Sequence, residues 1–131
     1  MDQAVREARK EAIVAEFMLL LHESPSDFAG LSAEEIQRVI GEYSAWRVRL
    51  EKEGRLLGGN KLKDEGGRHL SQKGDKVHVV DGPYAEAKEI VGGYFMVEAA
   101  NYDEAVDLSR TCPHLRYGGR IELREIHPVH G

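Results

Sequence analysis

The sequence has a single cysteine, no excess of basic residues and no long apolar run, and each of these scarcities excludes a class of protein. Cys112 has no second cysteine to pair with, so an internal disulfide is impossible and a reducing compartment is expected. The longest apolar run, from Phe17 to Leu21, is far below the roughly 20 residues of a membrane helix. The charged N-terminus lacks the apolar core of a secretory signal. We therefore expect a cytoplasmic protein in which Cys112 is a small hydrophobic residue.

The charge balance argues against nucleic-acid binding. Lys and Arg number 18 against 23 Asp and Glu, a net charge of −5, and the basic residues form no patch along the sequence. His127 and His130 lack the further Cys or His ligands of a zinc site, and no phosphate-binding glycine motif is present. We expect no metal, no cofactor, no membrane and no direct nucleic-acid partner.

The length of 131 residues fits one globular domain, and 41% hydrophobic with 31% charged residues is ordinary for that class. Residues 1–15 are charged and alanine-rich, with only a weak apolar stripe. We interpret them as an N-terminal helical appendage. Residues 16–131 then form the single domain.

Capping signals and periodicity predict two helices. Ser32 and Glu35 have the spacing of a capping box, and apolar residues at helical spacing follow as far as Gly54, which predicts a helix over residues 33–53. Asn101 and Glu104 have the same spacing and open a second helix, which ends before Pro113. The predicted strands are 16–22, 55–62, a short one near 68–72, 76–80, one that follows Gly92-Gly93 and includes 94–97, and 120–124.

This order of elements predicts the fold. Two β-α-β halves with an inserted hairpin indicate a ferredoxin-like α+β sandwich, in which both helices cover one face of an antiparallel sheet. Apolar residues remain for the other face: Met18, Leu20, Tyr94 and Met96. A second copy that stacks sheet on sheet would cover them, so we expect a homodimer in the form of a dimeric α-β barrel.

The turn Asp81-Gly82-Pro83-Tyr84 is the first candidate for a site. Asp, Gly and Pro are all good turn formers, so a purely structural turn is one interpretation. In the other, the turn aims the carboxylate of Asp81 and the ring of Tyr84 into a pocket. Lys88 and Glu89 follow, either as solvated surface charges or as a group that binds a polar or anionic ligand.

His22 ends the first strand, where it either completes a hydrogen bond or acts as a general acid and base, since the ordinary pKa of histidine is about 6.5. Trp46 and Tyr43 lie on the apolar face of the first helix, which favours core packing, although Trp46 could instead form the wall of a ligand cleft. Tyr94 after two glycines and Arg116 after Pro113 are further candidates for ligand contacts.

Several of these segments together resemble the YCII-related proteins and, more narrowly, the bacterial DGPF-domain group. They are Met18-Leu19-Leu20-Leu21-His22, Tyr43 and Trp46, Gly58-Gly59, the run from Asp81 to Glu89, Gly92-Gly93-Tyr94, and the closing strand from Arg120. The resemblance covers roughly residues 16–129. It departs from the family at Ala87, where threonine is more typical.

The resemblance implies a dimeric, ferredoxin-like α-β barrel without a settled activity. Some relatives are proposed to be enzymes with a His/Asp-lined cleft, and some are encoded beside sigma factors. Our leading hypothesis is a small-molecule-binding protein, with His22 and Asp81 as the acid-base pair and Lys88 or Arg116 as the ligand anchor. The alternative is a non-catalytic protein-binding module linked to transcriptional regulation.

Overall fold

A computed structural model describes residues 14–24, 26–82 and 89–128. The helices are α1 (Ala33–Lys52), α2 (Tyr102–Ser109) and a 3-10 helix (Pro113–Tyr117). The strands are β1 (Ala15–Glu23), β2 (Leu56–Lys61), β3 (Arg68–Lys73), β4 (Lys76–Asp81), β5 (Ile90–Ala99) and β6 (Arg120–Glu125). The two predicted helices that begin at Ser32 and Asn101 and the predicted strands are confirmed, with boundaries that differ by a few residues. The predicted N-terminal helical appendage lies outside the described residues except for residues 14 and 15, and Ala15 begins β1.

Four strands form an antiparallel sheet in the order β2-β5-β1-β6. The two long strands β1 and β5 lie at its centre, and alternate residues along them are apolar and buried against the helices: Phe17, Leu19 and Leu21 of β1 and Phe95, Val97 and Ala99 of β5. This order, with both helices packed on one face, is the ferredoxin-like α+β arrangement that the sequence predicts.

The core lies between the helices and one face of the sheet. Phe17 and Leu19 of β1, Val97 of β5 and Leu50 of α1 are completely buried in it. Cys112 is buried in the same cluster, and burial raises the pKa of its thiol to about 11. The thiol is therefore a packing group, as the sequence predicts.

Both helices begin at the predicted caps. Ser32 Oγ accepts a hydrogen bond from the Glu35 N–H, and the Glu35 side chain accepts one from the Ser32 N–H, so the capping box is complete. The Asn101 side chain accepts a hydrogen bond from the Glu104 N–H in the same way. These caps satisfy backbone N–H groups that have no partner within a helix.

Strands β3 and β4 form a separate two-stranded sheet, which we call the arm. Every residue of both strands is exposed, and one face of the arm carries Leu70, Val77 and Val79. The alternating pattern of these residues does suit strands, but in this chain their apolar side chains point to solvent. An isolated hairpin is marginally stable in water, so this surface is suited to contact with another molecule.

Candidate functional site: a cleft between the first helix and the sheet

A cleft of about 530 Å³ opens between α1 and the helix-facing side of the sheet. Its walls are mainly apolar: Leu21, Phe28, Ile36, Val39, Ile40 and Phe95. The polar residues Glu23, Tyr43 and His114 also line it. A mostly apolar cleft of this size with a few convergent polar groups is the usual form of a small-molecule site.

Glu23, the last residue of β1, places a carboxylate in this cleft. Side chains alternate along a strand, so Glu23 points to the same side as the core residue Leu21. Only 8% of Glu23 is exposed, and its Oε1 lies 3.7 Å from Lys61 Nζ at the end of β2. The ion pair offsets part of the cost of placing a charge among apolar walls.

A bulge in the sheet makes room for this carboxylate. The pairing of β1 with β5 runs from Leu21 opposite Gly93 to His22 opposite Val91, so Gly92 is passed over in the register. A Cβ atom on Gly92 would lie 1.8 Å from Glu23 Oε1, which is closer than any non-bonded approach. Gly92 is therefore part of the site, because only a residue without a side chain leaves Glu23 in this position. Bulges are frequent next to functional sites.

His114 and Tyr43 form a hydrogen-bonded pair on the same side of the sheet. Nδ1 of His114 lies 2.8 Å from the Tyr43 hydroxyl, and Nε2 lies 2.7 Å from the backbone carbonyl oxygen of His22. His114 is 2% exposed and packs so closely on Gly119 that a Cβ there would approach Nε2 to 2.2 Å. Burial raises the pKa of Tyr43, and the nearby Cys112 and Glu23 raise it further. Tyr43 therefore holds its proton at neutral pH.

Two of the predicted ligand contacts have clear positions relative to the cleft. Tyr94 contributes to its lining, and the Tyr94 hydroxyl accepts a hydrogen bond of 2.9 Å from Asn60 Nδ2. Trp46 is buried beneath it, with its ring edge against Phe95, which does line the cleft, and its indole N–H donates to Thr111 Oγ1. Trp46 thus supports a cleft residue from within the core.

The predicted pair His22 and Asp81 have other partners. The His22 ring lies on the sheet face opposite the helices, with Nε2 2.9 Å from Glu122 Oε1. This bond is the main cause that holds the pKa of Glu122 below its usual value. Asp81 ends β4 and pairs with Arg68 across the arm, with Oδ1 3.0 Å from the Arg68 Nε. No hydrogen bond or ion pair joins His22 to Asp81 among the described residues.

A second, more polar cleft lies at the base of the arm. His22, Glu89 and Arg68 are among its lining residues. Glu89 forms a two-pronged ion pair with Arg120, and these hydrogen bonds are the main cause that lowers the pKa of Glu89. The fold therefore brings His22 and Glu89 to one cleft. Arg68, which pairs with Asp81, lines the same cleft.

The remaining predicted contacts lie elsewhere. Arg116 is exposed on the 3-10 helix, where it pairs with Glu42 at 3.2 Å. Tyr84 and Lys88 lie outside the described residues, as do Pro83 and the segment 85–87.

Sequence reasoning missed Glu23, which lies just beyond the predicted strand 16–22, and His114, which it placed in no role. Pro113 is typical of the first turn of a helix, so it indicates the 3-10 helix but gives no role to His114. The signal for Glu23 was a charged residue at the end of a strand that is otherwise apolar on both faces. The structure explains this residue, because the Glu23 carboxylate occupies the space that a side chain at Gly92 would fill.

The structure is thus a ferredoxin-like α+β domain with a mostly apolar cleft that contains a buried acid. The chain belongs to the YCII-related domain family, whose profile matches residues 15–130. It is also 30% identical over 112 residues to an uncharacterized protein of Rhizobium meliloti (strain 1021), a match that covers 84% of this chain and 90% of that protein.

Two further features are absent from the described part of the chain. None of its helices is long and apolar enough to cross a membrane. Within residues 14–24, 26–82 and 89–128, no three His, Cys, Asp or Glu side chains converge in an arrangement that could hold a metal ion.

Proposed function

We propose that this protein binds a small, largely apolar molecule in the cleft between α1 and the sheet, and that Glu23 acts on it as a general base. The observation that carries the proposal is the position of the Glu23 carboxylate: 8% exposed, among apolar walls, over the glycine that makes room for it. Structural ion pairs are common at protein surfaces, but a buried acid in a ligand-sized cleft is typical of a functional site.

The chemistry follows from the surroundings of Glu23. A general base needs an acceptor oxygen within reach of the proton that it removes, and the carboxylate oxygens of Glu23 lie among the apolar walls of the cleft. Lys61 Nζ lies 3.7 Å from Glu23 Oε1 and is exposed, so a positive charge faces the carboxylate from the solvent side. This proposal retains the acid-base enzyme of the sequence analysis, but it assigns the base to Glu23 and favours an apolar ligand over a polar or anionic one, because the walls of the cleft are apolar.

Replacing Glu23 by glutamine tests the proposal. We expect a thermal-shift screen of small aromatic and aliphatic compounds to identify ligands that stabilise the wild-type protein, since a ligand at about one hundred times its Kd adds roughly 2.7 kcal/mol to the free energy of unfolding. The Glu23→Gln variant keeps the shape of the cleft and should lose most of this stabilisation.

The matched control is Glu51→Gln, which removes an exposed carboxylate of α1 outside the cleft. It should respond to the ligands as the wild type does. Ligands that stabilise Glu23→Gln and the wild type equally would refute a role for Glu23 in ligand binding, and the absence of any stabilising compound from a broad screen would count against the cleft as a binding site.

Two further predictions from the sequence belong to this proposal: membership of the DGPF-domain group and assembly into a homodimer. The run from Asp81 to Glu89 supports membership of the DGPF-domain group of bacterial proteins. The half-buried apolar side chains of Met18, Leu20 and Met96 on the sheet face opposite the helices support a homodimer formed by stacking two sheets.

The homodimer predicts a specific effect of charge on that face. Met96 lies directly opposite Met18 on the two central strands, so Met96→Lys would place two ammonium groups at the centre of a two-fold interface. Light scattering should give twice the mass of one chain for the wild type and the mass of one chain for this variant. Val48→Lys, on the exposed side of α1, is the control and should remain dimeric. A wild type that has the mass of one chain at micromolar concentration would exclude the dimer.

One observation favours the second candidate function, a protein-binding module. The exposed apolar face of the arm, with Leu70 66% exposed and Val77 and Val79 each 59% exposed, is the kind of surface that binds another protein. A stoichiometric protein partner that is lost on Leu70→Lys but retained on Glu23→Gln would favour the module over the enzyme.

A further inference from the structure

The hydrogen bonds of His114 determine which hydrogen-bonding group the cleft offers to a ligand. Nε2 of His114 lies 2.7 Å from the carbonyl oxygen of His22. A carbonyl oxygen can only accept, so Nε2 must carry a proton and donate it. In the neutral ring Nδ1 then has no proton, and it must accept the hydrogen bond that joins it to the Tyr43 hydroxyl at 2.8 Å.

The proton of Tyr43 is consequently directed at His114 and away from the cleft. The hydroxyl oxygen of Tyr43 keeps its capacity to accept, and the raised pKa of Tyr43 keeps the group neutral. The carboxylate oxygens of Glu23 are acceptors as well. The buried Glu23 and the half-buried Tyr43 therefore both offer acceptor oxygens to a ligand in the cleft.

The charged donors along the cleft, Arg47 and Lys61, are exposed and already have protein partners. Arg47 donates to the carbonyl oxygen of Gly59 at 3.2 Å. Lys61, whose side chain is 64% exposed, lies 2.7 Å from Asp64 as well as 3.7 Å from Glu23. A ligand that used these donors would have to displace such contacts, whereas the acceptors can receive a donor directly.

We infer that the cleft selects ligands that pair an apolar body with a hydrogen-bond donor, such as a phenol or an alcohol, and discriminates against the corresponding ethers. This inference rests on the proposed function and adds the class of ligand to it. His114 acts here as a positioning residue, because it fixes the direction of the Tyr43 hydroxyl without itself contacting the ligand. A buried acceptor left without a donor loses the hydrogen bonds it makes with water, which is why sites of this kind reject analogues that lack the donor.

The direct test compares three probes that differ in the donor: p-cresol, 4-methylanisole and toluene. Each is titrated in mildly alkaline buffer against isotope-labelled wild-type protein, and the shifts of backbone amide resonances of the cleft are followed by NMR. We expect p-cresol to bind about tenfold or more tightly than either of the others, a difference of roughly 1.4 kcal/mol. In Tyr43→Phe, which keeps the ring and removes the acceptor, this preference should fall several-fold.

The outcomes separate the two proposals. Equal affinity for all three probes, or tighter binding of the ether, would overturn the selectivity and leave the binding cleft intact. Binding of none of them would refute both. The ring nitrogens of His114 provide an independent measurement, since their chemical shifts distinguish a protonated from an unprotonated nitrogen. A spectrum that places the proton on Nδ1 would overturn the inference whatever the affinities are.

Discussion

Replacing Phe17 by alanine is expected to lower the free energy of unfolding by about 3 to 5 kcal/mol. Phe17 is completely buried at the start of β1 and packs edge-on against Tyr102 of α2, with ring centroids 4.9 Å apart. The substitution removes the whole ring from the junction of the central strand and the second helix. Small domains have a free energy of unfolding of only about 5 to 15 kcal/mol. The midpoint of urea unfolding should therefore move to a much lower urea concentration, while the dependence of the free energy on urea concentration stays close to the wild-type value.

Val48→Ala is the control for this prediction. Val48 is 47% exposed on α1, so its removal leaves no cavity, and alanine is the better helix former. We expect its free energy of unfolding to lie within about 0.5 kcal/mol of the wild-type value. A Phe17→Ala variant as stable as Val48→Ala would mean that the junction of β1 and α2 is not part of the cooperative core.

The elements of this fold could be predicted because their signals are local. The capping box at Ser32 and the N-cap at Asn101 use hydrogen bonds between residues three apart, and both are present in the structure. The alternation of buried and half-buried residues along β1 is likewise visible within nine residues. Such patterns determine the element order, and the element order leaves few topologies.

The cleft could not be predicted because its parts are distant in sequence. Tyr43 and His114 are 71 residues apart, and the contact of His114 with the His22 carbonyl spans 92. The position of Glu23 depends on a bulge at Gly92, and a bulge is a property of two paired strands. The sequence pattern of one strand does not show which strand it pairs with. It therefore cannot show that Gly92 is passed over in the pairing.

The two residues predicted as an acid-base pair have partners that the sequence does not indicate. Asp81 closes the base of the arm through Arg68, and the backbone carbonyl of His22 accepts a hydrogen bond from His114 while the His22 ring pairs with Glu122 on the other face. A strand residue has two chemically distinct parts that point in different directions. Sequence reasoning weighs the side chain, whereas here it is the backbone of His22 that contacts His114, a residue of the cleft.

Replacing Gly92 by alanine is expected to weaken ligand binding about tenfold or more while the protein stays folded. The added Cβ would lie 1.8 Å from Oε1 and 2.5 Å from Cδ of Glu23, and both atoms belong to the end of a flexible side chain. The carboxylate must therefore move away, and the strand itself need not. Gly58→Ala is the matched control: Gly58 also lies in the sheet, but a Cβ there would meet no atom within 4 Å.

A double-mutant cycle decides whether Gly92 acts through Glu23. If the alanine at 92 works only by displacing the carboxylate, then in a Glu23→Ala background it should change neither ligand affinity nor stability further, and the two effects will be strongly non-additive. The affinities are measured by calorimetry with a ligand from the thermal-shift screen, and the stabilities by urea unfolding. Additive effects would show that Gly92 is needed for the course of β5 itself. Non-additive effects would establish that the bulge at Gly92 exists in this chain to hold an acid in a cleft, which is a functional reason for an irregularity in an otherwise regular sheet.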